Sequence, residues 1–305
     1  MSRPRSVSIV VPVYNDSSGV QSTLESVLEH TDPSAELEII VVDNGSTDET
    51  PQVVERYARS HDHVVLETEA DMQGSYAARN TGIERATGEI LVFLDADQWV
   101  TPGWLESALD RLTELEADYL APNIRLKAPD DPSPVARYNL ISGFPIEGFL
   151  EQHHYAPTSC LFVTRTLLDD VGSFDERLVS GGDLEFGNRV HDAGYDLEYA
   201  PEATVIHPTR DSFRSLIGRN VRIGRGHCQL QRYYPNRYGR VGIPPRPSGI
   251  RREQYDASMN AVVYNAIATV MTAARGFGYY RECLGIGRDR FASTLDSVFD
   301  RSVGP

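Results

Sequence analysis

The sequence is short of lysine and of positive charge in general. Lys127 is the only lysine among 29 Lys and Arg residues, and the formal net charge is −15. This charge excludes the class of nucleic-acid binders that depend on a basic face. An acidic, lysine-poor composition is typical of proteins in high salt, where repulsion between exposed charges is screened. A GC-rich genome would also favour arginine over lysine, so composition alone leaves both explanations open.

Cysteines and long apolar runs are scarce too. The three cysteines, Cys160, Cys228 and Cys283, have spacings typical of neither a disulfide framework nor a zinc site, so we expect reduced, structural thiols in a cytoplasmic protein. Residues 1–5 lead directly into a strand without the apolar region of a signal peptide. Residues 257–274 carry no charge but include several polar residues. We expect a helix there that packs on the body or lies on a membrane surface, because a span needs ~20 predominantly apolar residues.

Short apolar runs alternate with helical patterns along the first half of the chain. The runs at 7–13, 37–42, 64–67 and 90–94 predict buried strands. This alternation predicts an α/β fold with a mostly parallel central sheet flanked by helices. Further helices are expected around 20–28, from near Asp48 onward, and near 74–86, 101–112, 183–193 and 211–234, and further strands near 158–164 and 199–206. The proline-rich residues 123–157 are expected to form loops that cover the ligand site.

Two aspartates follow the most apolar of these strands. Asp95 and Asp97 are two residues apart, so in an extended chain they face the same side. Like charges held that close are unfavourable unless a cation lies between them, and a hard divalent cation prefers carboxylate oxygens. The alternative is a polar loop in which one aspartate caps the next helix.

Other candidate residues each have a functional and a structural interpretation. Asp43 ends a strand at the edge where parallel sheets bind ligands, or it caps a helix. The alanines before Arg79 would let its helix approach the sheet closely, so that the Arg79 side chain points toward the strand ends. The alternative is that Arg79 forms a salt bridge on the surface. Asp183 and Glu185 follow two glycines and are candidates for a general base or for dipole compensation at a helix start. His207 is a structural histidine or a third metal ligand.

These segments together resemble the inverting glycosyltransferases of family two, which have the GT-A fold. The resemblance rests on six ranges and one spaced pair of residues, which follow one another over about the first 210 residues. The ranges are 7–15, 39–48, 78–82, 95–97, 193–195 and 201–207. The pair is Asp183 and Arg189, six positions apart. The composition adds a likeness to haloarchaeal transferases of surface-glycan and N-glycosylation pathways.

The resemblance implies roles for individual residues. It places the nucleotide against Pro12, Tyr14, Asn15, Asp43, Arg79 and Asp95. It implies that Asp95, Asp97 and His207 hold Mn²⁺ or Mg²⁺ and that Asp183 is the base that deprotonates the acceptor. Glu185 is the second choice of base, because Gly182 stands where the family often has Glu. Arg222 and Arg225 are candidates for diphosphate contacts or for balancing an acidic body.

The resemblance also implies an organisation and an activity. Residues 1–210 would form the catalytic domain, with a nucleotide-binding half over 1–122 and an acceptor half over 123–210, and residues 211–305 a helical extension. We expect transfer of a sugar from a nucleotide-linked donor, with UDP favoured, to a saccharide or polyprenyl- or dolichyl-linked acceptor. The enzyme would work in the cytoplasm or peripherally at the cytoplasmic face of the membrane. Archaeal protein N-glycosylation or surface polysaccharide synthesis is the expected context.

Two other classes were weighed against this one. A nucleotidyltransferase of similar architecture would carry a glycine-rich, lysine-bearing phosphate loop near the N-terminus, where this sequence has Pro-Val-Tyr-Asn-Asp. A catalytically inactive homologue that binds a glycan or a partner is opposed by the retained Asp95, Asp97, Asp183 and His207.

Overall fold

The computed structural model describes residues 6–31, 36–245 and 259–285. The chain divides into two compact units, Met1–Arg210 and Asp211–Pro305. The first unit contains a sheet flanked by helices, and the second consists of helices.

The strands of the first unit are β1 (Val7–Val13), β2 (Leu37–Asp43), β3 (Val64–Thr68), β4 (Ile90–Leu94), β5 (Trp99–Val100), β6 (Tyr119–Lys127), β7 (Cys160–Thr164) and β8 (Leu197–Pro208). Its helices are α1 (Ser17–His30), α2 (Thr50–Ser60), α3 (Ser75–Arg85), α4 (Trp104–Glu114), α5 (Pro134–Ser142), α6 (Ile146–His153), α7 (Arg165–Val171) and α8 (Gly182–Asp192). The second unit contains α9 (Phe213–Tyr233), α10 (Pro235–Tyr238) and α11 (Ala261–Cys283).

The sheet begins with the parallel strands that the sequence predicts. Its order is β3-β2-β1-β4-β7-β6-β8-β5, and the first four strands are parallel. All five residues of β4 are buried, as expected of a strand with helices on both faces. The carboxyl ends of β1, β2 and β4 therefore share one edge, which is where ligands of such sheets bind.

The second half of the sheet is mixed, a detail that the prediction of a mostly parallel sheet left open. Strand β7 runs antiparallel to both β4 and β6, and β5 runs antiparallel to β8. An apolar run such as Cys160–Thr164 does not reveal the direction in which a buried strand runs, because its neighbours lie far away in sequence.

The proline-rich stretch 123–157 is more ordered than the sequence suggests. Instead of loops alone, it contains the end of β6 and the helices α5 and α6. Pro134 occupies the first turn of α5, where a missing N–H costs nothing, and Ser133 caps the helix by accepting from the Ala136 N–H. The prolines here start a helix and do not interrupt one.

The second unit is held together by α9 and α11, and α9 occupies the predicted helical stretch 211–234. Glycines allow the two backbones to touch: a Cβ on Gly224 would collide with the backbone of Arg275 and Tyr279, and one on Gly278 with that of Val221. Residues 257 and 258 of the predicted apolar helix lie outside the described residues. Within the described part, none of the helices combines the length and apolarity that a bilayer crossing requires.

A disulfide joins Cys228 of α9 to Cys283 of α11, with Cα atoms 6.0 Å apart. This corrects the expectation of three reduced thiols; Cys160 is free and buried. The pairing could not be predicted, because the two cysteines are 55 positions apart in sequence and only the helix packing brings them together. The disulfide also removes cysteine usage as an argument for a cytoplasmic location.

Candidate active site

Three potential metal ligands converge at the carboxyl end of β4. Asp95 and Asp97 follow this strand, and the pairing of Trp99 in β5 with Ile206 in β8 brings His207 beside them. One ligand atom from each of Asp95, Asp97 and His207 lies within 4.8 Å of the others. Two carboxylate oxygens and an imidazole nitrogen suit Mn²⁺ or Mg²⁺ on a nucleotide diphosphate. The residues therefore fit the cation that the sequence predicts.

The electrostatics of Asp97 also favour a cation. Burial raises the pKa of Asp97, the facing His207 lowers it, and the charge of Asp95 raises it again. His207 Nε2 lies 3.9 Å from Asp97 Oδ1. His207 Nδ1 lies 2.8 Å from the Pro208 carbonyl oxygen. Because a carbonyl only accepts, Nδ1 carries a proton. In the neutral ring Nε2 then has the lone pair, which is the tautomer of a metal-binding histidine.

Arg79 of α3 is aimed at the same strand end. Its side chain is buried, and Nη2 donates to Asp95 Oδ1 at 2.6 Å, while Nη1 donates to the Ser75 carbonyl oxygen. The neighbouring Ala77 and Ala78 are buried against the sheet, which allows this approach. Arg79 thus neutralises one member of the acidic pair. Its predicted contact with a nucleobase stays a prediction.

Two further polar atoms at this strand end are buried and lack a hydrogen-bond partner among the described residues. They are Arg79 Nε and the Ser159 hydroxyl oxygen. The Ser159 carbonyl oxygen accepts from the Asp95 N–H, so Ser159 adjoins the acidic pair. Buried polar groups normally have partners, and an unpaired donor beside a site is a group that a ligand could satisfy. Ser159 was not among the predicted site residues, and its position immediately before a buried strand is the signal that could have identified it.

The loops after β1 and β2 are joined to each other. Asn15 adopts a left-handed conformation with φ 49°, its N–H donates to Ser46, and its Oδ1 accepts from the Thr47 N–H. The buried Asp43 accepts from the Ser46 N–H. Pro12 lies in β1, and Tyr14 is half exposed. These loops bring Pro12, Tyr14, Asn15 and Asp43 to the predicted nucleotide edge of the sheet.

Asn44 is a further residue at this edge that the sequence analysis did not single out. Its buried amide group donates to the carbonyl oxygens of Glu69 and Met72 and accepts from the Gly74 N–H. These bonds fix the segment that leads into α3. A polar residue directly after a buried strand is the signal that could have identified it.

Asp183 lies in the first turn of α8, where the helix dipole favours a negative charge. Its Oδ1 accepts from the Leu184 N–H at 3.0 Å and lies 3.4 Å from the Tyr76 hydroxyl. Burial raises the pKa of Asp183 above its ordinary value. A carboxylate with a raised pKa takes a proton more readily, which is a property of a general base.

Glu185, the second predicted base, is engaged elsewhere. It is buried, and its two carboxylate oxygens accept from Nε and Nη2 of Arg189, each at 2.9 Å. Arg189 also donates to the backbone carbonyls of residues 171–173. This pair ties α8 to the segment after α7, and it argues for Asp183 over Glu185 as the base.

The two predicted diphosphate arginines belong to the second unit. On α9, Arg225 Nε pairs with Glu282 Oε2 at 3.1 Å, and Arg222 is exposed. Their role at a diphosphate stays a prediction.

A mixed central sheet flanked by helices matches the structures of GT-A glycosyltransferases. The structure is similar to a mannosyltransferase from Pyrobaculum calidifontis in complex with GDP-Man and Mn²⁺, with TM-score 0.61, 21% identity and coverage of 98% of this chain and 81% of that one. It is also similar to residues 1–349 of Staphylococcus aureus TarS in complex with UDP-GlcNAc, with TM-score 0.53, 20% identity and coverage of 90% and 74%.

The chain belongs to the family described as glycosyl transferase family 2, whose sequence model matches residues 8–170. It is 35% identical over 224 residues to glycosyltransferase AglE of Haloferax volcanii, covering 73% of each protein. It is 30% identical over 240 residues to the pre-mycofactocin glycosyltransferase of Mycobacterium tuberculosis, covering 76% of this chain and 49% of that protein. The protein is therefore a glycosyltransferase, as the sequence motifs predicted.

Proposed function

We propose that this glycosyltransferase transfers a sugar from a nucleotide-sugar donor to a saccharide or lipid-linked acceptor, with inversion and with a divalent cation. The observation that carries the proposal is the convergence of Asp95, Asp97 and His207 at the carboxyl end of the nucleotide-binding strands. Arg79 contacts Asp95, and its guanidinium carbon lies 5.7 Å from the centre of the Tyr76 ring. The Tyr76 hydroxyl in turn approaches Asp183. Residues of α3 therefore link the cation ligands to the proposed base.

Asp95, Asp97 and His207 would hold Mn²⁺ or Mg²⁺, which would neutralise negative charge on the departing diphosphate. The ligands' own contribution is to fix the position of the diphosphate at the end of β4. His207 is held for this task by its Nδ1–H bond to the Pro208 carbonyl oxygen. Asp95 is held by Arg79, which leaves its second oxygen available.

Asp183 would act as the general base. Its carboxylate takes the proton of the acceptor hydroxyl as the acceptor oxygen bonds to the anomeric carbon. The bond from that carbon to the phosphate oxygen breaks on the opposite face, and its electron pair stays on the nucleotide diphosphate. One direct displacement inverts the anomeric centre. Positioned proton transfer of this kind typically contributes about 10²–10⁴-fold to the rate.

The nucleotide would lie against the joined loops that follow β1 and β2. Asp43, at the carboxyl end of β2, would accept from a base N–H, and the half-exposed ring of Tyr14 would pack on the base. Because structural relatives bind GDP-Man and UDP-GlcNAc, the donor test includes both nucleotides, and we favour a UDP-linked sugar.

The test is a screen of UDP-, GDP- and dTDP-sugars for metal-dependent thermal stabilisation, followed by transfer assays. A ligand at 100 times its Kd that binds only the folded protein stabilises it by about 2.7 kcal/mol. We expect stabilisation by one nucleotide class, only with Mn²⁺ or Mg²⁺, and its loss in Asp97→Ala. If a nucleotide sugar stabilised the protein equally with the cation and with EDTA, the result would contradict the proposed cation site.

We also propose peripheral contact with the cytoplasmic face of a membrane, where a polyprenyl- or dolichyl-linked acceptor would reside. Helix α11 is uncharged from 261 to 274 and exposes Val263, Val270 and Phe277 at intervals of seven residues, and the exposed Leu284 that caps its C-terminus continues the series. Such a face can lie in a lipid interface. Co-flotation with anionic vesicles should be reduced by Phe277→Glu but not by Thr272→Glu. Equal flotation of both variants would contradict the contact.

The acidic, lysine-poor composition supports a halophilic origin, as does the similarity to a Haloferax relative. An archaeal N-glycosylation or surface-polysaccharide pathway would be the corresponding context. With a net charge of −15, we expect the unfolding temperature to rise steadily between 0.1 M and 3 M KCl, because salt screens self-repulsion. Equal stability across this range would contradict the halophilic assignment.

A further inference from the structure

The hydroxyl of Tyr76, near the start of α3, lies directly beneath the first turn of α8. It accepts from the Gly182 N–H at 2.9 Å and lies 3.4 Å from the Asp183 N–H. It also lies 3.4 Å from Asp183 Oδ1, to which it can donate. One phenol group therefore satisfies a backbone donor that the helix itself leaves unpaired and reaches the carboxylate of the proposed base.

The ring of Tyr76 is fixed in place by the core. It stacks on Phe174 with centroids 5.8 Å apart, and Phe174 packs edge-on against Phe93 of β4 at 5.1 Å. Tyr76 as a whole is only 6% exposed. Since Phe93 lies two residues before Asp95, the position of the hydroxyl is set by the strand that carries the acidic pair.

The ring also accounts for the glycine before Asp183. A Cβ on Gly182 would lie 2.7 Å from two ring carbons of Tyr76 and 2.9 Å from a third, closer than such atoms approach in folded proteins. Any side chain at 182 would displace the ring or the first turn of α8. Tyr76 and Gly182 are therefore a matched pair, and the departure from the Glu-Asp pattern at this position has a steric cause.

The phenol remains a hydrogen-bond donor. Burial and the charge of Asp183 both raise the pKa of Tyr76, so the hydroxyl stays protonated at neutral pH. Arg79 of α3 lowers the pKa of Asp183, and the charge of Asp183 raises the pKa of the buried Tyr119 of β6. A phenol that donates to a carboxylate favours its ionised form and opposes the effect of burial.

We propose that Tyr76 is a positioning residue for Asp183: its hydroxyl orients the carboxylate and keeps it ionised, and it requires glycine at position 182. Tyr76 acts through Asp183 and need not contact either substrate. This inference rests on the proposed function, in which Asp183 is the general base.

The first test is Tyr76→Phe, which keeps the ring and removes the hydroxyl. The acid limb of the pH profile of kcat/KM should move to higher pH, since the ionised form of Asp183 loses a donor. At the optimum, kcat should fall about 10-fold, the lower end of the range for a hydrogen bond to a charged group. Tyr195→Phe is the matched control, because Tyr195 donates to Asp170 at 3.0 Å on the surface. An acid limb that does not move, or that moves to lower pH, overturns the proposal.

The second test uses stability in urea and does not depend on activity. Gly182→Ala should be strongly destabilising in the wild-type background and much less so in Tyr76→Ser, where the ring is absent. Such non-additivity is expected of residues in direct contact. If Gly182→Ala lowers the free energy of unfolding equally in both backgrounds, the pairing of Tyr76 with Gly182 is overturned.

The two tests separate this inference from the proposed function. If no nucleotide sugar supports transfer but the effects of the Tyr76 and Gly182 substitutions on urea unfolding are non-additive, the proposed function fails while the pairing of Tyr76 with Gly182 stands. If transfer occurs and Tyr76→Phe has the pH profile of the wild type, the positioning role fails while the proposed function stands.

Discussion

Arg79 Nη2 lies 2.6 Å from Asp95 Oδ1, whereas His207 Nε2 lies 3.9 Å from Asp97 Oδ1. The acidic pair is therefore electrostatically unequal. Asp95 has a permanent cationic partner, and Asp97 keeps a raised pKa because of its burial and the nearby charge of Asp95. This asymmetry gives the two aspartates different expected behaviour on substitution.

Asp97→Ala should abolish stabilisation by Mn²⁺ and lower transfer activity strongly, while the metal-free protein stays as stable as the wild type or becomes slightly more stable. The reason is that the substitution removes a charge repelled by Asp95. Asp95→Ala should destabilise the metal-free protein by about 1–3 kcal/mol, because the buried Arg79 loses its charged acceptor. Urea unfolding in EDTA measures both effects, and equal stability of the two variants would contradict the asymmetry.

Asp183→Asn should lower kcat by about 10²–10⁴-fold while nucleotide and metal binding stay near normal. In the wild type, the acid limb of activity should lie above pH 3.8, the ordinary pKa of an aspartate, because burial raises the pKa of Asp183. Steady-state kinetics and nucleotide titrations check this. Survival of turnover in Asp183→Asn would show that another group is the base.

The same raised pKa predicts how stability depends on pH. A carboxyl whose pKa is higher in the folded state contributes its stability below the unfolded pKa and loses it as the pH rises through the folded value. Relative to Asp183→Asn, the wild type should therefore become less stable as the pH rises from below 3.8 to neutral. Urea unfolding of both proteins over this range measures the difference, and a parallel pH dependence would contradict it.

Glu185→Gln should affect stability more than chemistry. It removes the charge from a buried acceptor of Arg189, and we expect a cost of about 1–3 kcal/mol because the Arg189 side chain is partly exposed. The folded variant should keep the wild-type acid limb. If that limb were lost while stability stayed normal, Glu185 and not Asp183 would be the base.

Thiol titration under denaturing conditions should find one reactive cysteine per chain before reduction and three afterwards, because Cys228 and Cys283 are paired. Cys228→Ser should lower the free energy of unfolding by about 2–4 kcal/mol, the usual range for a natural disulfide. Reductant should have no further effect on this variant but should destabilise Cys160→Ala as it does the wild type. Three thiols without reduction would contradict the disulfide.

The parallel half of the sheet could be predicted because its strands are apolar runs bounded by turn residues. Ile90–Leu94, for example, is buried throughout. The antiparallel β7 could not be predicted in its direction, because its five residues are equally apolar whichever way they run. Strand β6 was missed because Pro122, Arg125 and Lys127 interrupt the apolar pattern.

The predicted metal ligands do lie together, although whether they bind a cation stays a prediction. His207 could be suggested because it ends an apolar stretch at a strand end. Tyr76 could not, since an aromatic residue in a helix usually belongs to the core, and only the fold shows its hydroxyl reaching α8. Glycine at 182 looked like a departure from a pattern, and its cause lies 106 residues away in sequence.

Gly224 and Gly278 are exceptions to the rule that replacing a glycine inside a helix by alanine stabilises the protein. Replacing glycine by alanine inside a helix normally stabilises it by about 0.8–1 kcal/mol. In α9 and α11 a single added methyl group would strike the facing main chain, so the helices would have to separate. Programmes that raise thermostability by substituting helical glycines should leave these two positions untouched.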